Sequence, residues 1–318
     1  MVDFMLKIFI FCLFFISSHF SHSSDFKDKP ITIISGFSPG ATDQALRPYI
    51  EAFEKNGYKI VVEHKPGANG IVALNYFSNN VKPDGYTLFA TASSMFTLAP
   101  IVSSDILKNN GVDLITTIAA GPIVLVSNKQ SNVKTLKQFQ DDLLKNDNSI
   151  SIASPSLFFE YASRYLIKES TKQSINVPIV NYKSGSDAIK DVLGGHVKYG
   201  VLQLSVATPF INSGDINIIA ISGEKRFVNL PNTPTFSEFF PNFNSNLEAS
   251  WGIALPKNTD PKIYKFYHDF FTKVAREEET KEKLLKTFMI IPNNYVGKKA
   301  FENRINKESI MWKSITIK

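Results

Sequence analysis

The sequence predicts an α/β protein built from two units, each a mostly parallel sheet flanked by helices. Three observations carry this. Runs of β-branched residues at 31–35, 59–63 and 86–90 alternate with amphipathic helical patterns, which makes a βαβαβ unit. A second alternation starts at Ile150 and ends near Ile221. Two apolar extended stretches, 114–127 and 249–255, belong to neither unit and read as strands crossing between two lobes.

In chain order, the first strand ends in Gly36-Phe37-Ser38-Pro39-Gly40, and a helix from about 44 to 55 follows, with Ala45, Leu46, Tyr49, Ile50 and Phe53 on one face. The second strand ends in Lys65-Pro66-Gly67-Ala68-Asn69-Gly70, ahead of a helix through Val72, Ala73 and Phe77. Pro83-Asp84-Gly85 turns the chain into the third strand. In the second unit, a strand at 150–153 leads to Ser154 as a capping hydroxyl with Pro155 at the first helical position. A strand at 175–181 follows. Ser184-Gly185-Ser186-Asp187 fits a capping box before Ala188, Ile189, Val192 and Leu193, and Gly194-Gly195 stops that helix. Strands near 197–204 and 216–221 complete the unit. From Asp260 onward the pattern is helical and is expected to pack back on the first lobe.

A chain of 318 residues with 43% hydrophobic content has the material for two packed domains. The net charge of +6 is dilute. Its densest charge run, Arg276-Glu277-Glu278-Glu279 with Lys281, Lys283 and Lys286, mixes signs at helical spacing. That is a solvated helix face rather than a nucleic-acid stripe. Residues 1–23 have the pattern of a secretory signal: Lys7, an apolar run over 8–16, then Ser21 and Ser23. An uncleaved N-terminal anchor is the alternative. The single cysteine, Cys12, lies in that run behind bulky Phe11, so a cleaved chain is expected to hold no disulfide and no thiol chemistry.

The two Pro-Gly turns share one device. A strand that breaks and restarts as a helix leaves unpaired N–H groups and the positive end of the helix dipole facing one space, which favours an anion. Other chemistries fit less well. Gly36 to Gly40 matches G-x-S-x-G, but an acyl-transfer elbow needs the N–H of the residue after the serine, and Pro39 has none. His268 and Asp260 could be proposed as partners for Ser38, but their chain order alone is weak evidence, so a secreted hydrolase is the weakest reading. Neither turn has phosphate-loop spacing, and His64, His196 and His268 are isolated, so neither nucleotide nor metal is expected. His64 either touches ligand or simply ends its strand. Asp43 is expected to cap the first helix or hold a bridging water. Lys183 with Ser184 to Ser186 either only starts a helix or partners a carboxylate.

The order of these segments resembles the receptors of tripartite tricarboxylate transporters, the Bug-type solute-binding proteins, over about 30–292. It is carried by the stretch from Gly36 to Arg47, KPGANG at 65–70, PDGYTL at 83–88, Ser154-Pro155, NYKSG at 181–185, DVLGG at 191–195, NTPTF at 232–236 and WGIALP at 251–256. The resemblance implies a two-lobed type II periplasmic-binding-protein fold, with 24–121 plus 252–318 as the first lobe and 122–251 as the second. It implies a monomeric periplasmic receptor, without enzymatic activity or cofactor, that delivers a small carboxylate to a permease of a large and a small subunit. The alternative within the same fold is a sensing receptor acting on a membrane sensor kinase.

The family's ligand loops map onto Ser38, Gly40, Ala41, Thr42 and Asp43, and onto Gly67, Ala68 and Asn69. In the second lobe they map near Ser154, Ser156, Lys183, Ser184 and Gly185. The expected donors are the N–H groups of Gly40, Ala41, Thr42, Gly67, Ala68 and Asn69, with hydroxyls from Ser38, Thr42, Ser154 and Ser184. Three departures stand out: Ala41 and Asn69 replace glycines, and Ser156-Leu157-Phe158-Phe159 replaces a glycine-bearing turn, making that wall bulkier and more apolar.

Overall fold

The computed structural model describes residues 26–102, 111–145, 149–173, 175–241, 243 and 247–316. The signal segment expected at 1–23, including Cys12, lies outside the described residues. Strands β1 (Ile31–Ser35), β2 (Ile60–His64) and β3 (Thr87–Ala92) pair in parallel in the order β2-β1-β3, with helices α1 (Ala41–Lys55) and α2 (Ile71–Asn80) as crossovers. α1 begins three residues before the apolar pattern does. Its first turn is polar, and Asp43 there stabilises the N-terminus by accepting from Gly40 N–H at 2.8 Å.

The second lobe repeats the scheme. α3 (Leu136–Lys145) precedes β5 (Ile152–Ser154), which is parallel to β6 (Ile179–Asn181) and β7 (Tyr199–Gln203). α4 (Leu157–Thr171), α5 (Gly185–Leu193) and α6 (Leu204–Asn212) connect or follow these strands, and β8 (Ile216–Ile221) comes last in the lobe. α4 starts later than the sequence suggests. Ser154 is still held in the sheet opposite Asn181, so Ser156, with extended φ −167°, takes the position before the helix and Leu157 opens it. Half of the box expected at α5 forms: Ser184 Oγ accepts from Asp187 N–H at 3.1 Å, while Asp187 Oδ2 takes the Ser184 hydroxyl at 2.8 Å in place of the backbone N–H.

Two strands join the lobes. β4 (Val112–Asn128) is 17 residues long and almost wholly buried, which explains its mostly apolar sequence. It pairs antiparallel with β9 (Glu248–Pro256) through Pro122, then with β7 from Ile123 and with β8 from Val124. β9 also pairs antiparallel with β3. The sheet order is therefore β2-β1-β3-β9-β4-β7-β5-β6, parallel in its outer parts and antiparallel through the crossing strands.

The C-terminal helices α7 (Pro261–Arg276), α8 (Glu278–Lys286) and α9 (Lys298–Thr316) return to the first lobe. Asp260 and Pro261 start α7, the carboxylate accepting from Lys262 N–H at 2.7 Å. Phe53 of α1 stacks on Phe270 with ring centroids 3.8 Å apart, and Tyr49 packs on Phe271 at 5.4 Å. These rings fill the largest buried cluster behind β1 and β3. The carboxyl ends of both sets of parallel strands thus point at the line where the lobes meet.

Candidate ligand-binding site

A cavity of about 710 Å³, open to solvent at its mouth, lies between the lobes. The start of α1 supplies Ser38, Gly40, Ala41 and Thr42 to its wall. Gly40 N–H is already taken by Asp43 Oδ2, so the donors left at this helix end are the first-turn N–H groups of Ala41 and Thr42. Asp43 does not line the cavity. Its other oxygen, Oδ1, lies 3.2 Å from His64 Nε2, and His64 Nδ1 donates to Phe37 O at 2.7 Å. His64 is likewise absent from the wall: this pair braces the turn from behind.

From the second lobe come Ser156, Phe158 and Phe159 at the start of α4, and Lys183, Ser184, Gly185 and Ser186 at the start of α5. Ser184's hydroxyl is committed to Asp187, so this helix end offers the N–H groups of Gly185 and Ser186. Ser154 is fully buried beneath the wall and donates to Ser156 O at 2.9 Å. Lys183 is the only charged residue among the described residues lining the cavity. The two phenylalanines pack edge to face at 5.2 Å, and Phe158 meets Trp312 at 5.7 Å, so this wall is held rigidly apolar.

The second Pro-Gly turn faces elsewhere. Gly67, Ala68 and Asn69 line a neighbouring cavity of about 910 Å³ that shares Phe37, Pro155, Ser156 and Lys183 with the first. Four consecutive residues have positive φ: Gly67 at 145°, Ala68 at 45°, Asn69 at 55° and Gly70 at 87°. Asn is among the few side chains that tolerate this region. Its Oδ1 reaches across the cleft and accepts from Leu157 N–H at 2.7 Å.

The floor of the cavity is absent from the sequence reading. It comes from the ends of β3 and β7 and from β9: Ser93, Ser94, Gln203, Ala249, Ser250 and Trp251. The signal available was position alone, since residues just past the carboxyl ends of parallel strands collect at ligand sites. Behind Ser250 stands a buried ion cluster. Arg304 Nε lies 3.0 Å from Ser250 Oγ and 2.7 Å from Glu308 Oε1, while Arg304 Nη1 is 3.6 Å from Glu248 Oε2. Burial pushes the Glu308 carboxyl above its usual range, against the pull of Arg304 and a hydrogen bond from Ser93. The partners named for Ser38 are engaged elsewhere: His268 stacks on Tyr264 and contacts Asp269, and Asp260 caps α7. Among the described residues no three His, Cys, Asp or Glu side chains gather as metal ligands.

A family model of the tripartite tricarboxylate transporter family receptor matches residues 49–316. The chain belongs to that family. A UPF0065 protein encoded in the gbd 5′ region of Cupriavidus necator is 27% identical over 270 residues, covering 84% of this chain and 80% of that one. The periplasmic binding protein BugD superposes with a TM-score of 0.80 at 20% identity, covering 91% of this chain and 96% of BugD. The R. palustris protein Rpa4515, solved with adipate, superposes with a TM-score of 0.84 at 18% identity, covering 92% and 97%. These structural likenesses establish the fold, the two-lobed one of the periplasmic binding proteins.

Proposed function

We propose that this receptor, exported by its N-terminal signal, captures a small carboxylate between its lobes and delivers it to the permease subunits of a tripartite transporter. The supporting observation is that the starts of α1 and α5, together with the Lys183 side chain, face one cavity between the lobes. Helix N-termini and a lysine in a half-enclosed apolar pocket favour a carboxylate over a neutral solute. The adipate bound to Rpa4515 is in keeping with that class. The lobes are 24–121 plus 252–318 and 122–251, hinged where β4 exchanges β9 for β7 near Pro122. Ligand then favours the closed form by touching both lobes at once, and the receptor acts as a monomer.

Thermal and denaturant unfolding against a panel of mono-, di- and tricarboxylates tests the reading. A ligand at a hundred times its dissociation constant adds about 2.7 kcal/mol. Absence of any shift across the panel would overturn it.

A further inference from the structure

The floor of the cavity carries polar side chains but no charge. Gln203, the last residue of β7, lines it and is 2% exposed, and neither its Oε1 nor its Nε2 has a hydrogen-bond partner. Buried side-chain amides are rarely left unpaired at both ends, because each unmet group loses its water without replacement. The carboxamide is seated on the crossing strand. A Cβ added to Gly121 would come within 2.2 Å of Nε2, so glycine at that position makes room for it.

Beside it, Ser250 Oγ accepts from Arg304 Nε at 3.0 Å, which turns the hydroxyl proton away from the guanidinium. Arg304 offers no charge to the cavity, because it is matched against two carboxyls, Glu248 and Glu308. A second carboxylate placed here would be desolvated with no cation facing it and two acids behind the wall. A group that both donates and accepts would give Gln203 Oε1 and Nε2 one partner each.

We propose that the solute is a monocarboxylate whose other end is a carboxamide, paired with the side chain of Gln203. This rests on the carboxylate reading above and narrows it: the acid end stays with Lys183 and the helix starts, and the neutral end lies on the floor.

Isothermal calorimetry on the purified receptor at pH 7.5 tests it with matched pairs: succinamate against succinate, glutaramate against glutarate, and adipamate against adipate. The monoamide should bind at least tenfold more tightly than its diacid at the chain length that fits. Gln203→Met should abolish that preference. Should Gln203→Met fail to fold, Gly121→Ala, which keeps the carboxamide but displaces it, must reduce the preference. A diacid that binds as tightly as its monoamide overturns the proposal and leaves the carboxylate reading standing. A preference that survives both variants overturns the role of Gln203. Binding by no member of any pair overturns both readings.

Discussion

Asn69 Oδ1 in the first lobe accepts a hydrogen bond at 2.7 Å from the backbone N–H of Leu157, the first residue of α4 in the second lobe. One side chain thus does two jobs. It fills a left-handed position where glycine would otherwise be the default, and it satisfies a helix N-terminal donor across the cleft. The loss of a glycine at this place therefore adds a latch between the lobes.

Removing the latch without disturbing the loop should loosen the closed form. Asn69→Gly keeps the positive φ and deletes the acceptor, so ligand affinity should fall about fivefold, the worth of one ordinary hydrogen bond of ~1 kcal/mol. Small-angle scattering of the unliganded variant should show a larger radius of gyration. Asn69→Ala should in addition lower stability by ~1 kcal/mol, because alanine is strained at that φ. Equal affinity and equal scattering for Asn69→Gly would show that the bond does not couple the lobes.

Lys183 is the only charged residue lining the cavity among the described residues. Lys183→Gln should weaken carboxylate binding by at least tenfold, since a hydrogen bond to a charged partner is worth ~1.5–3 kcal/mol. The unliganded melting temperature should stay unchanged, and the wild-type affinity should decline with added salt more steeply than the variant's. Calorimetry at two salt concentrations checks both.

Gly252 of β9 has no room for a side chain. A Cβ there would lie 2.2 Å from Phe301 Cε1 and 3.0 Å from Thr116 O, between α9 and the crossing strands. Gly252→Ala should destabilise by ~1–3 kcal/mol, the usual cost of overpacking. The midpoint of urea unfolding should drop without a change in slope.

The exposed ion cluster between α8 and α1 predicts part of the acid sensitivity. Hydrogen bonds from Lys283 and then Lys55 hold the Glu279 carboxyl at about 2, below its ordinary 4.5. A lowered folded-state value means that its contribution is complete above about pH 4.5 and is lost as pH falls toward about 2. Glu279→Gln should therefore flatten the decline of the urea midpoint across that window and leave it flat above. An unchanged acid limb would remove Glu279 from the account.

Much of this architecture was legible in order along the chain. The strands at 31–35 and 216–221, the Ser184–Asp187 box and the helix opening at Asp260-Pro261 stand where apolar period and cap chemistry put them. The start of α4 was not, because Ser154 has a capping side chain but is held in β5 by pairing with Asn181, which lies 27 residues on.

By itself the sequence determined an α/β chain with two strand–helix alternations, two strands between them and two strand–turn–helix breaks at Pro-Gly, since each of these follows from forces acting within a few residues. Only the tertiary structure decided that the two turns line different spaces. The first opens on the cavity floored by β9, whereas the second lines the neighbouring cavity and reaches Leu157 across the cleft. It also decided the floor, where Gln203, Gly121 and Ser250 meet because β4 changes partners between Pro122 and Ile123. No local preference encodes that meeting. It arises from pairing among strands far apart in the chain, and the buried amide is visible only once the walls close around it.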